Sequence, residues 1–346
     1  MVLIQDQIRV AADKLTSLQA LFDKHYYPAA RERGMTLLEW RVSPPLLLAD
    51  GQATIWQRWQ VADIGAWWAM RAQAGTPEVA AFWREVDALC DFRERIYLST
   101  GDGAVAGGGE ISSFRVPTRG YRETAQLGLK AGTDDDGEAA LLESLNQAQS
   151  LAGLEAFSLC KNLAPEYAAG HYTLDLLFAD AGAARAARES AVWKNHVAPA
   201  LARYCDICHA LTLDTIGAGL RAPNLAGAIK RTAFFRVLPG ISPAVKKRFE
   251  QDLLEMPAHI PEILNWRLSH AVPVDWNTND KAWTYVWEQE FESLDDLLGP
   301  YMIHPHHWAH IDRWFDPESG VQAIDTNLSH AFSPLHTSLI AREAKS

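Results

Sequence analysis

From Val2 to Val10 apolar and polar side chains alternate, with Ile4, Ile8 and Val10 on one side and Gln5, Gln7 and Arg9 on the other. That period predicts a half-buried strand. A helical pattern follows from Ala11 to about Arg33, and Gly34 stands where a left-handed cap residue would end it. Thr36–Ser43 and Ala53–Val61 return to the strand period, the latter with Ile55, Gln57 and Trp59 opposite Trp56, Arg58 and Gln60. Helices are predicted over Asp63–Ala74 and Thr76–Cys90, the second opened by the cap-and-proline signal Thr76-Pro77-Glu78. Phe92–Ser99 reads as a fourth strand. The order is β-α-β-β-α-β.

A glycine-containing linker, Gly101–Gly109, separates this unit from a second with the same order. Strands are predicted at Tyr121–Lys130, Leu154–Lys161, His171–Phe178 and Ala210–Ile216. Helices run from the Asp134 cap to about Leu151 and from Ala183 to Tyr204. Gly217–Gly227 is a second connection. The third unit has strands at Arg231–Leu238, Ile263–His270, Trp283–Phe291 and Val321–Ser329. Its first helix is capped by Ser242, and its last runs from near Ser293 to near Phe315 with an interruption at Pro305. A repeat of about 110 residues is one whole ferredoxin-like unit. The expected fold is therefore α+β, with three tandem ferredoxin-like (β-α-β-β-α-β) units at 1–105, 116–220 and 228–335.

Composition narrows the partners. A net charge of −11 over 346 residues argues against nucleic acid or an anionic membrane surface, because phosphate binding relies on Lys and Arg. The first residues lack a basic and then apolar leader, no apolar run is long enough to span a bilayer, and four cysteines are too few for a disulfide scaffold. A cytoplasmic protein is expected.

Chemistry concentrates near the end of the chain. Tyr301-Met302-Ile303-His304-Pro305-His306-His307-Trp308-Ala309-His310 holds four of the twelve histidines, and imidazole is the side chain that titrates nearest neutrality. His307 as general base and Tyr301 as hydrogen-bond donor to a developing enolate form the sharpest hypothesis. His304, His306 and His310 are secondary substrate-binding candidates, and a histidine-rich helix start with only surface contacts is the plain alternative. No Asp or Glu stands at ligand spacing on the same helix face, so no metal is expected. Arg231 could clamp a substrate carboxylate or simply end a strand. Trp283, Tyr285, Trp287 and Phe291 fall on one predicted strand face, as packed core or as the wall of a flat pocket, so Trp283 and Tyr285 join the substrate-binding candidates. His171, Tyr172 and His196 could form a second pocket. Cys205-Asp206-Ile207-Cys208-His209 fits a haem-attachment pattern but falls where the second unit passes from helix to strand.

The third unit resembles the stress-responsive dimeric α/β-barrel (Dabb) family. The resemblance rests on the strand, the Pro239-Gly240 turn and the helix that follows, on Phe291-Glu292-Ser293, and on Tyr301-x-x-His304-Pro305-x-His307. Unit two is similar more weakly, through Phe178 and the His196 region. The resemblance implies ferredoxin-like units pairing into dimeric α/β barrels with the ligand inside, and an odd number of units implies a homodimer. It also suggests a cofactor-free polyketide cyclase as analogue, which implies that no cofactor is needed. The tyrosine and histidine of that block match Tyr301 and His307, whereas two further pocket histidines fall on Arg231 and Tyr285. Muconolactone isomerases use the same type of barrel. The expected function is thus an acid–base isomerase, cis–trans or keto–enol, acting on a small anionic, conjugated carbonyl compound such as an aromatic ring-cleavage product. A cyclase or lactonase with the same pocket and a non-catalytic stress-response binding protein are the alternatives.

Overall fold

The computed structural model describes residues 1–48, 50–99, 107–280 and 282–345. Most of the Gly101–Gly109 linker lies outside them. The described residues form twelve strands: β1 Val2–Ala11, β2 Thr36–Ser43, β3 Gln52–Val61, β4 Cys90–Leu98, β5 Tyr121–Leu129, β6 Leu154–Lys161, β7 Tyr172–Phe178, β8 Cys205–Leu220, β9 Ala228–Phe235, β10 Asn265–Pro273, β11 Tyr285–Phe291 and β12 Ser329–Leu335. No helix among them is long and apolar enough to cross a membrane. The chain divides into two compact units, Met1–Gly107 with Ile303–Thr326, and Gly108–Met302 with Asn327–Ser346.

In the first compact unit the antiparallel sheet has the order β2-β3-β1-β4, the ferredoxin-like arrangement. Helices α1 (residues 12–32), α2 (Ile64–Ala74) and α3 (Pro77–Leu89) cover one face, where Ile4, Ile8 and Ile55 pack with Leu18, Phe22, Trp67 and Trp83. Asp63 and Thr76 cap α2 and α3, each accepting a backbone N–H with its side chain, and Gly34 takes φ +87° after α1.

Residues 303–326 complete this unit. Trp308 joins its apolar core. Glu318 is fully buried and accepts from Arg33 Nη2 at 2.8 Å, Arg95 Nη1 at 2.7 Å, Tyr26 Oη at 2.5 Å and Trp83 Nε1 at 3.2 Å. Arg95 also reaches Asp6 at 2.7 Å. Burial alone would raise the Glu318 carboxyl, but Arg95 and Arg33 outweigh it and hold the group far below the usual carboxylate range.

Asp312 behaves oppositely. It receives Arg71 Nε at 2.5 Å, yet burial pushes its carboxyl up to about 6 against the pull of that guanidinium. A raised carboxyl pKa means the folded state takes up a proton before the unfolded chain, whose Asp titrates near pH 3.9. Its contribution to stability therefore grows as pH falls from 7.5 to 5 and stops growing near 4. We expect this segment of the pH–stability curve to flatten in Asp312→Asn, by roughly 1.4 kcal/mol between pH 7.5 and 5, measured by urea unfolding.

The second compact unit contains one eight-stranded sheet in the order β12-β9-β11-β10-β8-β5-β7-β6. It is two four-stranded ferredoxin-like sheets joined edge to edge by antiparallel pairing of β8 with β10. At the opposite edges Leu163 N donates to Phe332 O at 2.7 Å, so the sheet curls into a nearly closed barrel within one chain. Closure of this kind covers edges that would otherwise be open to other chains.

Several sequence expectations shift here. The fourth strand of the second repeat runs on through Gly217 to Leu220 instead of ending at Ile216, because that extension is the edge that pairs with β10. Gly219 belongs there since Trp266 lies over it; a Cβ would sit 2.1 Å from the indole. After α4 (Asp135–Asn146), the predicted helix Ala183–Tyr204 breaks at Ser190 into α5 (Ala181–Glu189) and α6 (residues 191–204), with the Ser190 hydroxyl accepting Trp193 N. The last strand is Ser329–Leu335, not Val321–Ser329. Trp283 precedes β11, and so does not share a strand face with Tyr285, Trp287 and Phe291. The predicted last helix is also divided: residues 294–303 and 305–314 are separate helices, α8 and α9, with non-helical His304 before Pro305. A further helix, α10 (Leu339–Lys345), follows β12.

Candidate active site

The pleat of β9 sorts its side chains to two faces. Lys230, Thr232 and Phe234 point into the barrel, where Lys230 meets Asp175 at 2.8 Å and Glu288 at 2.7 Å. Arg231, Ala233 and Phe235 face the helices, with Phe235 edge-on to Phe249 of helix α7 (Pro243–His259). Arg231, expected on a barrel strand, is therefore on the helix side of that strand.

Arg231 is 4% exposed. Nη1 donates to Gln289 Oε1, directly opposite on β11, at 2.6 Å. Nη2 lies 2.9 Å from His330 Nε2 on β12. The guanidinium stands 5.6 Å from the centroid of the Tyr301 ring, and Phe291 lies edge-on to that ring at 5.3 Å. A guanidinium has donors only, so His330 Nε2 accepts and the imidazole is neutral with its proton on Nδ1. No carboxylate stands within ion-pair reach of Arg231 among the described residues. Burial pulls its pKa below the ordinary value, opposed by Tyr301. The cation nonetheless remains charged, since arginine does not lose its proton in proteins. A buried, permanent cation beside an amide, a neutral imidazole and a phenol ring has the chemistry to take up an anion.

The other sequence candidates divide. Tyr285 is buried against Phe249, and its hydroxyl donates to Glu250 at 2.6 Å, with the His270 ring 5.2 Å away. Trp283 Nε1 donates to His209 Nδ1 at 3.0 Å, packed with Phe234. His209 is the histidine of the haem-like motif; its cysteines, Cys205 and Cys208, are buried free thiols. His304, His306, His307 and His310 belong to the first compact unit, whereas Tyr301 belongs to the second. His307 is 9% exposed with its ring 5.2 Å from Trp68, and His306 lies 4.9 Å from His310. No group of three or more metal-binding side chains occurs among the described residues. In the second repeat His171 Nδ1 accepts Leu129 N at 3.0 Å, Tyr172 is buried and bonded to Glu138, and His196 is exposed. Clefts of about 330 and 200 Å³, the first beside Asp87 and Gly320 and the second beside His25 and Glu85, contain none of these residues.

Gln289 and His330 were missed from the sequence. His330 fell outside the predicted last strand because Pro334 interrupts the alternating pattern after it. A proline fits β12 because β12 is an edge strand.

Residues 229–328 match the family model described as Stress responsive A/B Barrel Domain. Among solved structures, an anthrone oxidase-like protein is similar at 8% identity and TM-score 0.45, covering 64% of this chain and 94% of its own. A chlorite dismutase from Candidatus Nitrospira defluvii gives 7% and 0.37, over 66% and 94%. A NIPSNAP domain protein from Burkholderia xenovorans gives 16% and 0.25, over 31% and 100%. No curated protein matches the sequence.

Proposed function

We propose that this chain is a cofactor-independent acid–base isomerase that binds a small planar carboxylate at Arg231. What carries this reading is the buried guanidinium with neutral partners only, set beside a neutral imidazole and a tyrosine. In its chemistry Arg231 takes the substrate carboxylate, and Tyr301 stabilises the enolate oxygen that forms when a C–H proton leaves. The base is His330, the imidazole of the same compact unit, already neutral because Arg231 bonds its Nε2. Its proton-accepting lone pair is freed when the guanidinium turns to the carboxylate. A conjugated carbonyl compound suits these groups, since conjugation acidifies the C–H bond and keeps the molecule flat. Conjugated dienoates and their lactones are the compounds to test, with product geometry and solvent deuterium incorporation as readouts. Isomerisation with deuterium entering at the acidic carbon is expected. Failure of every such carboxylate to bind the wild-type protein would sink the proposal, and ring opening of a lactone would redirect it to hydrolysis.

A further inference from the structure

On the barrel side of the same sheet, charges are paired almost completely. Arg122 meets Asp175 at 3.0 Å, Glu288 at 2.8 Å and Glu343 at 3.2 Å. Arg267 also binds Glu343, along with Ser269 Oγ at 3.0 Å and Leu213 O at 3.3 Å. All these side chains are almost wholly buried. Four of the five ionic partners of this chamber other than Glu343 sit on β5, β7, β9 and β11, and the fifth, Arg267, on β10. Glu343 alone is not part of the wall; it comes from α10, seated through buried Leu339, Ile340 and Ala341.

The wall supplies three cations, Arg122, Lys230 and Arg267, against Asp175 and Glu288. Glu290 also faces inward, held by Asn265 Nδ2 at 2.7 Å, and burial raises its carboxyl. Arg122 and Lys230 pair with Asp175 and Glu288 of the wall, whereas Arg267 meets no wall carboxylate at ion-pair distance among the described residues. Its ionic partner there is Glu343, and a buried guanidinium without a carboxylate is costly.

We propose that Arg122 and Arg267 form a second carboxylate site inside the barrel, occupied by Glu343, and that α10 is a latch that a small monocarboxylate displaces. It is distinct from the Arg231 site, which lies on the other face of the sheet. Two arginines holding one carboxylate from an element outside the wall is the geometry of a bound acid, with the side chain of α10 in the ligand's place.

The full-length Glu343→Ala variant tests this. Its thermal midpoint should fall by roughly 5–15 °C. Acetate should restore at least half of the loss with saturation, while acetamide and chloride at equal concentration should not. Equal recovery with all three, or none with acetate, would overturn the proposal in favour of a purely structural ion pair. Should that variant fail to fold, hydrogen exchange of residues 339–345 in the wild-type protein decides. Exchange there should rise saturably with acetate and not with acetamide, and unchanged exchange would count against a latch.

Discussion

Glu318→Ala is expected to destabilise the first compact unit by about 3–5 kcal/mol, the usual cost of removing one partner from a buried ion network. The carboxylate has four donors and no exposure, so its loss leaves Arg95 with Asp6 and Arg33 with no carboxylate among the described residues. The effect should appear as a lower urea midpoint by tryptophan fluorescence, a probe weighted to this unit because it holds eight of the thirteen tryptophans. Glu318→Gln should also destabilise strongly, since an amide keeps the Tyr26 and Trp83 hydrogen bonds but not the charge. A loss under about 1 kcal/mol in both variants would show that apolar packing through Trp308, and not the ion network, holds residues 303–326 in place.

Arg231→Met is expected to separate stability from function. Because Arg231 has no carboxylate partner, replacing it with an apolar side chain of similar length should leave unfolding free energy unchanged or raise it by about 1–2 kcal/mol. Affinity for a planar carboxylate should fall by more than tenfold, in line with the roughly 2–5 kcal/mol lost when a buried charge contact is cut. Natural sites that carry such a stability cost are often functional. Isothermal titration with a dienoate, run beside urea unfolding, measures both quantities. If the variant unfolds more readily and binds as before, Arg231 is a structural residue.

Much of the fold was legible because each element carries its own signal. Thr36–Ser43 and Leu154–Lys161 were bounded correctly, and the Thr76, Asp134 and Ser242 caps all fall where the sequence predicts. The misses occurred where a distant partner overrides local pattern. β8 is long because β10 pairs with it, and β12 tolerates Pro334 because it ends the strand order, with β9 as its one ladder partner among the described residues. The candidate site was half legible: Tyr301 and Arg231 were identified from residue type, whereas Gln289 and His330 needed the register of β9 with its two neighbours.

Order and type of element, and with them three β-α-β-β-α-β repeats in an α+β chain, were determined by the sequence alone, because alternation and capping act over a few residues. Tertiary structure decided what meets across long separations. It joined β8 to β10, placed Ile303–Thr326 with Met1–Gly107, and turned Arg231 to the helix side while Arg122 and Arg267 line the barrel. A one-residue change of strand register exchanges those two faces, and nothing in a single strand's alternation says which face the helices will cover.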